Sequence, residues 1–261
     1  MTSPEGTRRA ADVRGIIRVF PDIDEDVLLD LFHEGARVQW TSRDLDWTPP
    51  LRLTGRQRDA MARLLTPVYF GAQAAMLGAS AVLPQLMAAG ETTAQLYLTS
   101  FIVDEAHHFE ALTRYYRKLG HGPLGPRQLP EMLRYHHRIR RADRAGWVCG
   151  VLFSDVIAGQ FYRTFGVSLA DPVFAQMSTR ILQDVSRHLA FADHYLRRSV
   201  ATMDGAGRRA LVDLRDDLLG ILGAMAGRMR DDAAQFAVDL DFLAPIRAGV
   251  EASSRSIGLP G

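Results

Sequence analysis

The chain has 261 residues, of which 47% are hydrophobic and 23% carry a charge. This composition is ordinary for a globular protein and allows a sizeable core. The formal net charge of +1 gives no overall field that would favour nucleic acid or an anionic membrane as a partner. The single cysteine, Cys149, excludes an intramolecular disulfide and suits a reducing compartment.

The sequence predicts neither a signal peptide nor a membrane span. Residues 1–15 are polar and contain no apolar run of signal-peptide length. The longest apolar stretch, 68–83, is interrupted by glycine, glutamine and serine. It falls short of the roughly 20 apolar residues that cross a membrane. We therefore expect a cytoplasmic protein with neither a membrane nor nucleic acid as a partner.

Apolar residues recur at helical spacing along most of the chain, whereas the period-2 alternation of strands is absent. Glycine, proline and aspartate divide this pattern into long pieces. In chain order, the pattern predicts helices near residues 22–37, 55–88, 92–119, 128–165, 173–203 and 207–238, followed by a short helix after Asp241. The segment 38–54 is expected to be a Trp-rich connection, and the tail after Ser253 to be loose chain.

Four of the predicted helices, between residues 55 and 203, are long enough to pack side by side. The natural arrangement of such helices is a large up-and-down bundle, so the sequence predicts an all-α fold. We expect one domain over 1–261, in which an N-terminal arm (1–54) and C-terminal helices (207–252) flank the bundle core (about 55–203).

Two of the predicted helices carry nearly the same short sequence. The first copy, "DEAHH", begins at Asp104, and the second, "DVSRH", begins at Asp184. Residues three or four apart lie on one face of a helix, so Glu105 and His108 project together with Asp104. By the same spacing, His188 shares a face with Asp184. The two copies therefore predict a cluster of acids and imidazoles between two helices.

Such a cluster has a known use in helical bundles. A Glu-x-x-His pair on each of two facing helices, with one carboxylate from each of two others, binds two iron or manganese ions. Carboxylate oxygens and imidazole nitrogens suit these cations. The first copy has the complete pair, whereas Val185 stands in place of the glutamate in the second copy. A carboxylate also fixes the orientation of a metal-bound imidazole, a role that suits Asp104 and Asp184.

The surrounding sequence strengthens this interpretation. The phrases "LYLTSFIVDEAHHFEALTRYY", "GVLFSDVIAGQFY" and "DVSRHLAFADHYLRRSVA" follow one another in order, preceded by "RVQWTSRDLDW" and "FGAQAAMLG". Over roughly residues 30–203, this order resembles the ferritin-like superfamily, in particular the small subunit of ribonucleotide reductase and its relatives, the ligand-binding oxidases. The resemblance implies a ferritin-like helical bundle around a dinuclear metal centre.

The resemblance also implies a ligand set, and the chain departs from it. The family's first ligand helix supplies a carboxylate where this chain has Gln73, which becomes a candidate ligand. The third supplies a glutamate that aligns with Ser154, and Asp155 lies next to it, so either residue could face the site. The second helix matches the family in full, and the fourth contributes His188 alone.

These departures change the balance of charge. An intact site offers four carboxylates to two divalent cations, so the charges cancel. With Glu105 as the only carboxylate in contact, two cations would carry about three uncompensated charges. Even at an effective dielectric constant of about 20, two charges roughly 4 Å apart interact by about 4 kcal/mol. Two tightly bound divalent ions are therefore disfavoured unless exogenous anions help.

Three states of the site are consistent with the sequence. One ion could bind to Glu105, His108 and His188, a two-histidine, one-carboxylate set. Alternatively, Asp155 and Asp184 could turn inward and rebuild a displaced dinuclear site. In the third state no metal binds, and the polar groups form a buried hydrogen-bonded network.

The resemblance implies an oxidoreductase that holds iron or manganese, activates dioxygen and oxidises a small organic or acyl substrate in an apolar pocket. Two alternatives remain open: a metal-free, non-catalytic scaffold or partner subunit of an oxygenase-type complex, and a metal-independent redox relative. The resemblance further implies a homodimer, or a complex with another helical subunit.

Overall fold

The computed structural model describes residue 23 and residues 26–169, 171–238 and 243–261. The described residues are mainly helical and include no strand. The helices are α1 (Val27–Arg37), α2 (Gly55–Leu64), α3 (Thr66–Ala89), α4 (Thr92–Leu119), α5 (Pro130–Arg140), α6 (Arg144–Ser168), α7 (Pro172–Thr202), α8 (Gly205–Arg228), α9 (Arg230–Ala234) and α10 (Leu243–Ser256). The predicted all-α fold is confirmed.

Helices α3, α4, α6 and α7 form the bundle that carries the site. The most extensive packing joins α3 to α4 and α6 to α7, and α4 also packs on α7 and α3 on α6. Each of the four therefore contacts two others around a common core of aromatic and aliphatic side chains. Of the remaining helices, α5 packs on α8, and α10 packs on α6.

Local sequence signals set where these helices begin and end. The side chains of Asp143 and Asp171 accept hydrogen bonds from the first backbone N–H groups of α6 and α7, which have no partner inside the helix. Gly90 and Gly120 end α3 and α4 with positive φ angles of 75° and 76°. Glycine adopts this left-handed conformation without the steric cost that a Cβ imposes.

Three of the predicted helices are each divided in the structure, two of them before residue 170. The helix predicted over 55–88 is divided at Leu65 into α2 and α3, and Pro67 lies in the first turn of α3. Pro84 lies inside α3 without ending it. The helix predicted over 128–165 is divided at 141–143 into α5 and α6, because the Asp143 side chain caps a new helix there.

The chain ends also differ in part from the prediction. The helix predicted over 207–238 is divided into α8 and α9. The tail after Ser253 is not loose: α10 continues to Ser256, and Ile257 and Leu259 are buried. The backbone N–H of Leu259 donates to the carbonyl of Ser254 at 2.9 Å. At the other end, α1 begins at Val27 and is capped by Asp26. Residues 24, 25 and 239–242 lie outside the described ranges.

The helix α1 and the connection 38–54 lie over the site from one side. Packing joins α1 to both α4 and α7. A Cβ added at Gly35 would lie 3.6 Å from the Nε atom of Arg187, so the α1 backbone runs close to that guanidinium. Trp40, in the connection, is buried. This layer separates the α4–α7 face from solvent.

One helical stretch among the described residues, Gly55–Ala89, is long and apolar enough to cross a membrane when judged by length and composition alone. The sequence analysis placed the apolar part of this stretch below that length. Core helices of soluble proteins pass the same test, so one such stretch is weak evidence for a span. The expectation of no membrane partner therefore stays a prediction.

Candidate metal centre

The two histidines of the repeated motif meet in the interior of the bundle. His108 on α4 and His188 on α7 have ring centroids 6.0 Å apart. Their residues are 4% and 1% exposed. The predicted geometry, with both imidazoles turned into a dry space between two neighbouring helices, is therefore present.

Each imidazole is held by the aspartate of the opposite helix. The Nε2 atom of His108 lies 2.9 Å from Oδ2 of Asp184, and the Nε2 atom of His188 lies 3.3 Å from Oδ2 of Asp104. A carboxylate accepts, so each Nε2–H donates and each Nδ1 atom is free to face the other side. This is the orientation that a metal-binding imidazole requires.

Two further side chains complete this outer layer. Arg187 is buried, and its Nη2 atom donates to Asp184 Oδ1 at 2.6 Å and to Asp104 Oδ2 at 3.1 Å. The indole Nε1–H of Trp40 donates to Asp184 Oδ2 at 2.7 Å. Neither residue was predicted from the sequence. The only signal for Trp40 was its place in a connecting segment that resembles the family, and Arg187 looked like an ordinary helix-surface arginine.

The inner layer consists of two carboxylates that face the Nδ1 atoms. The two oxygens of Glu105 lie 3.5 Å from His108 Nδ1 and 3.7 Å from His188 Nδ1. An oxygen of Asp155, on α6, lies 3.8 Å from His188 Nδ1. Ligand atoms of Glu105, Asp155 and His188 all lie within 4.8 Å of one another. The helices α4, α6 and α7 therefore each place one candidate ligand atom at the same buried position.

Two of these candidate ligand atoms have no hydrogen-bond partner among the described residues. Nδ1 of His188 and Oδ2 of Asp155 are buried and unpaired among the described residues. Buried polar atoms are nearly always paired, and an unpaired one costs about 1–3 kcal/mol. Two unpaired atoms that face each other across 3.8 Å indicate a place for a shared partner.

The structure brings Asp155, and not Ser154, into the cluster. The hydroxyl of Ser154 donates to the carbonyl of Gly150 at 2.7 Å and lies 3.0 Å from the hydroxyl of Tyr135. It is therefore satisfied within its own helix and by α5. Of the two residues that the sequence left open at this position, Asp155 is the one that lies beside Glu105 and His188.

Gln73 lies half-buried on α3, outside the set of residues that line the space beside Glu105. The α3 residues that do line this space near Gln73 are Gly71, Ala72 and Ala74, which offer no side-chain donor. Val185, in place of the second glutamate, is buried and lines the same space.

In the outer pair, His108 and Asp184, neighbouring groups and burial shift the pKa values in opposite directions. Burial opposes the charged form of His108, but Glu105 and Asp184 outweigh it and raise the pKa of His108 to about 10. Burial would raise the pKa of Asp184, but hydrogen bonds from His108, Trp40 and Arg187 lower it to about 2. This pair is therefore an imidazolium and a carboxylate at neutral pH.

In the inner pair, Asp155 and His188, the pKa values of both groups are raised. Burial raises the pKa of Asp155 to about 7, although the charge of His188 partly offsets it. Burial opposes the charge of His188, but the hydrogen bond to Asp104 and the charges of Asp155 and Glu105 raise its pKa. Protons held on Asp155 and His188 are thus what a bound cation would replace.

A cavity of about 790 Å³ lies beside this cluster. Glu105 and Asp155 line its buried end, and its walls, mainly from α3, α5 and α6, are largely aliphatic and aromatic. The basic residues of α5 and the start of α6 line the opposite end: Arg134, His136, His137, Arg140 and Arg144. An apolar space thus runs from a basic surface to the buried carboxylates.

The fold is similar to solved structures of R2-like ligand-binding oxidases. One variant with an aerobically reconstituted Mn/Fe cofactor is 18% identical with a TM-score of 0.74, over 90% of this chain and 94% of that chain. A second such variant is 20% identical with a TM-score of 0.72, over 90% and 95%. A third structure, with the cofactor after a long soak, is 19% identical with a TM-score of 0.71, over 90% and 93%.

These matches confirm the predicted ferritin-like architecture of the ribonucleotide reductase small-subunit type, and at such identities they show the fold alone. No protein-family model and no curated protein matches the sequence. The activity must therefore be argued from the site itself.

Proposed function

We propose that this protein is a metal-dependent oxidase that binds iron or manganese between α4, α6 and α7 and oxidises an organic molecule with dioxygen. The observation that carries the proposal is the pair of unpaired donors, His188 Nδ1 and Asp155 Oδ2, beside Glu105 at the buried end of a cavity. The Mn/Fe cofactor of the structurally similar oxidases supports the choice of metals.

The residues present fit such a metal. Carboxylate oxygens and an imidazole nitrogen are the donors that iron(II) and manganese(II) accept. The imidazole of His188 is already oriented by Asp104, so metal binding requires no rotation of the ring. The two carboxylates of Glu105 and Asp155 would balance the charge of one divalent cation. A cation there would also give both unpaired atoms a partner.

A bound iron or manganese ion would supply the redox chemistry that passes electrons from the organic substrate to dioxygen. The chain itself would do three other things. Trp40, Arg187 and the two aspartates hold the imidazoles in place. The layer formed by α1 and the connection 38–54 excludes water from the α4–α7 face. Asp155, whose pKa is raised to about 7 in the absence of metal, would release its proton when the ion binds and hold the ion as a carboxylate.

The cavity supports a substrate with an apolar body, such as a small organic molecule or an acyl chain. Cavities of about 300–1,000 Å³ with few polar groups are typical small-molecule sites, and this one has about 790 Å³. The carboxylates of Glu105 and Asp155 lie at its buried end, so the deepest part of a ligand would lie next to the metal.

The test is reconstitution of the purified chain with iron(II) or manganese(II), followed by measurement of bound metal and of dioxygen consumption. We expect the wild-type chain to retain metal through desalting and to consume dioxygen, and Glu105→Gln to lose both. A folded wild-type chain that retains neither metal would contradict the proposal and would favour the metal-free scaffold or the metal-independent redox relative.

A cytoplasmic location and a homodimer, or a complex with another helical subunit, are further parts of this proposal. The support for a partner is the apolar helix α3, on which Leu77 is 65% exposed. Light scattering coupled to size-exclusion chromatography would measure the mass of the assembly. We expect a dimer, and we expect Leu77→Glu to weaken the association of its subunits. A wild-type chain that stays monomeric at all concentrations would contradict the proposed dimer.

A further inference from the structure

We infer that the site binds one metal ion per chain, held by Glu105, Asp155 and His188, and that His108 is not a ligand. This inference rests on the proposed function but goes beyond it. A ferritin-like bundle with its full ligand set holds two ions in a symmetric arrangement. The contacts in this chain are asymmetric, and they favour only one of the two positions.

The first position has three donors from three helices. Ligand atoms of Glu105, Asp155 and His188 lie within 4.8 Å of one another, and all three residues are at least nine-tenths buried. The unpaired atoms, His188 Nδ1 and Asp155 Oδ2, both belong to this set. Two carboxylates and one neutral imidazole would leave a divalent cation with no net charge, which a dry interior requires.

The second position, beside His108, lacks donors. His108 Nδ1 has one acid near it, Glu105 Oε2 at 3.5 Å, and that carboxylate is already shared with the first position. The side that a second glutamate of α7 would fill is occupied by the aliphatic Val185. Near this point α3 contributes glycine and alanine to the wall.

The balance of charge also disfavours a second ion. Two cations would bring four positive charges to Glu105 and Asp155, which carry two negative charges between them. Asp104 and Asp184 do not supply the difference, because Arg187 and the two Nε2–H groups already engage them. The two histidines therefore have different roles: His188 binds the ion, and His108 supports Glu105 through Nδ1 and Asp184 through Nε2.

The experiment uses manganese(II) as the probe, with metal counted by mass spectrometry and its state read by electron paramagnetic resonance. We expect one manganese per folded chain and the spectrum of an isolated ion. His188→Gln and Asp155→Asn should reduce the retained metal to background. His108→Gln is the matched control, because it makes the same change at an equally buried histidine with the same kind of aspartate partner, and it should retain one ion.

Circular dichroism and thermal unfolding confirm that each variant is folded before its metal is counted. Two ions per chain with an exchange-coupled spectrum would overturn the inference and leave the proposed oxidase intact. Loss of metal in His108→Gln to the same extent as in His188→Gln would also overturn it. A wild-type chain that binds no manganese and no iron would instead remove the proposed function on which the inference rests.

Discussion

Arg187 is the residue on which the outer layer of the site depends. Asp104 and Asp184 are both buried, and the guanidinium bonds to one oxygen of each. Two neighbouring carboxylates would repel one another in a medium of low dielectric constant without a cation between them. Arg187 thus offsets the repulsion between the two aspartates, whose oxygens accept the hydrogen bonds that hold the imidazoles.

Removal of this cation should be costly. We expect Arg187→Met to lower the free energy of unfolding by about 3–5 kcal/mol, the range seen when one member of a buried charge network is removed. Urea denaturation measures the change. Arg197→Met provides the control on the same helix, because Arg197 pairs with Asp193 at the surface and exposed pairs contribute about 0–1 kcal/mol. Equal losses in the two variants would show that the buried network contributes no more than a surface pair.

His108 should make the stability of the metal-free chain depend on pH. Its pKa rises from an unfolded value of 6.5 to about 10 in the folded chain. The charge of His108 therefore stabilises the fold fully below about pH 6.5, and this contribution is lost as the pH rises through about 10. The loss is on the order of several kcal/mol, because each pKa unit corresponds to about 1.4 kcal/mol.

Urea denaturation at a series of pH values between 6.5 and 10 measures this slope. We expect the stability of the wild-type chain to fall across this range and His108→Gln to reduce the fall, with the raised pKa of His188 contributing part of what remains. His121→Gln is the control, since His121 forms an exposed pair with Asp59 and should leave the slope unchanged. An unchanged slope in His108→Gln would refute the assigned charge state.

At the scale of the helix, the motif of α7 lacks the glutamate that the motif of α4 carries. Val185 lies one turn before His188, where α4 has Glu105 one turn before His108. Both positions are buried and line the same cavity. The asymmetry of the whole centre therefore follows from whether each helix presents a carboxylate or an isopropyl group toward the shared space.

Val185→Glu should therefore restore the missing donor. We expect the variant to bind two manganese ions per chain with a coupled spectrum when an exogenous anion such as acetate is supplied, because three carboxylates leave one positive charge uncompensated. Without metal it should unfold at a lower temperature than the wild type, because an unpaired carboxyl group would be buried. Val185→Gln controls for size and polarity and should stay at one ion, since it adds no charge. A single ion in Val185→Glu would show that the second position is closed for a reason other than charge.

The helices and the site differ in how far the sequence could predict them. The bounds predicted for α4 and α7 agree with the structure to within one residue at each end, because both helices carry an amphipathic stripe. Helix α3 is apolar on most of its surface, so its sequence does not indicate which side faces the cavity. Gln73 was proposed as a ligand from the resemblance alone, and it is not among the residues that line the cavity.

Contacts between distant parts of the chain could not be predicted from the sequence. The bond from Trp40 to Asp184 joins residues 144 positions apart, and the bond from Arg187 to Asp104 joins residues 83 apart. No local pattern marks such pairs. The break before Asp143 was missed although aspartate favours the cap position of a helix, because no glycine or proline lies in the turn that precedes it.

For the whole molecule, the cavity is what would link the metal to a substrate. It lies between helices of the bundle and α5, and it connects the basic surface of α5 with the buried cluster. Ala158 lines it one turn after Asp155 on α6. A phenylalanine at this position would extend into open space of about 790 Å³, so it should fill part of the cavity without displacing the core.

We therefore expect Ala158→Phe to weaken the binding of an apolar fluorescent probe such as anilinonaphthalene sulfonate at least about tenfold, roughly the loss of 1.4 kcal/mol. Manganese stoichiometry should not change, because the ligands lie beyond the added ring. Val167→Phe is the matched control: it adds the same ring to the same helix at a side chain that is 85% exposed. If both variants bound the probe as the wild type does, the probe would occupy another surface and the cavity would have no part in holding apolar ligands.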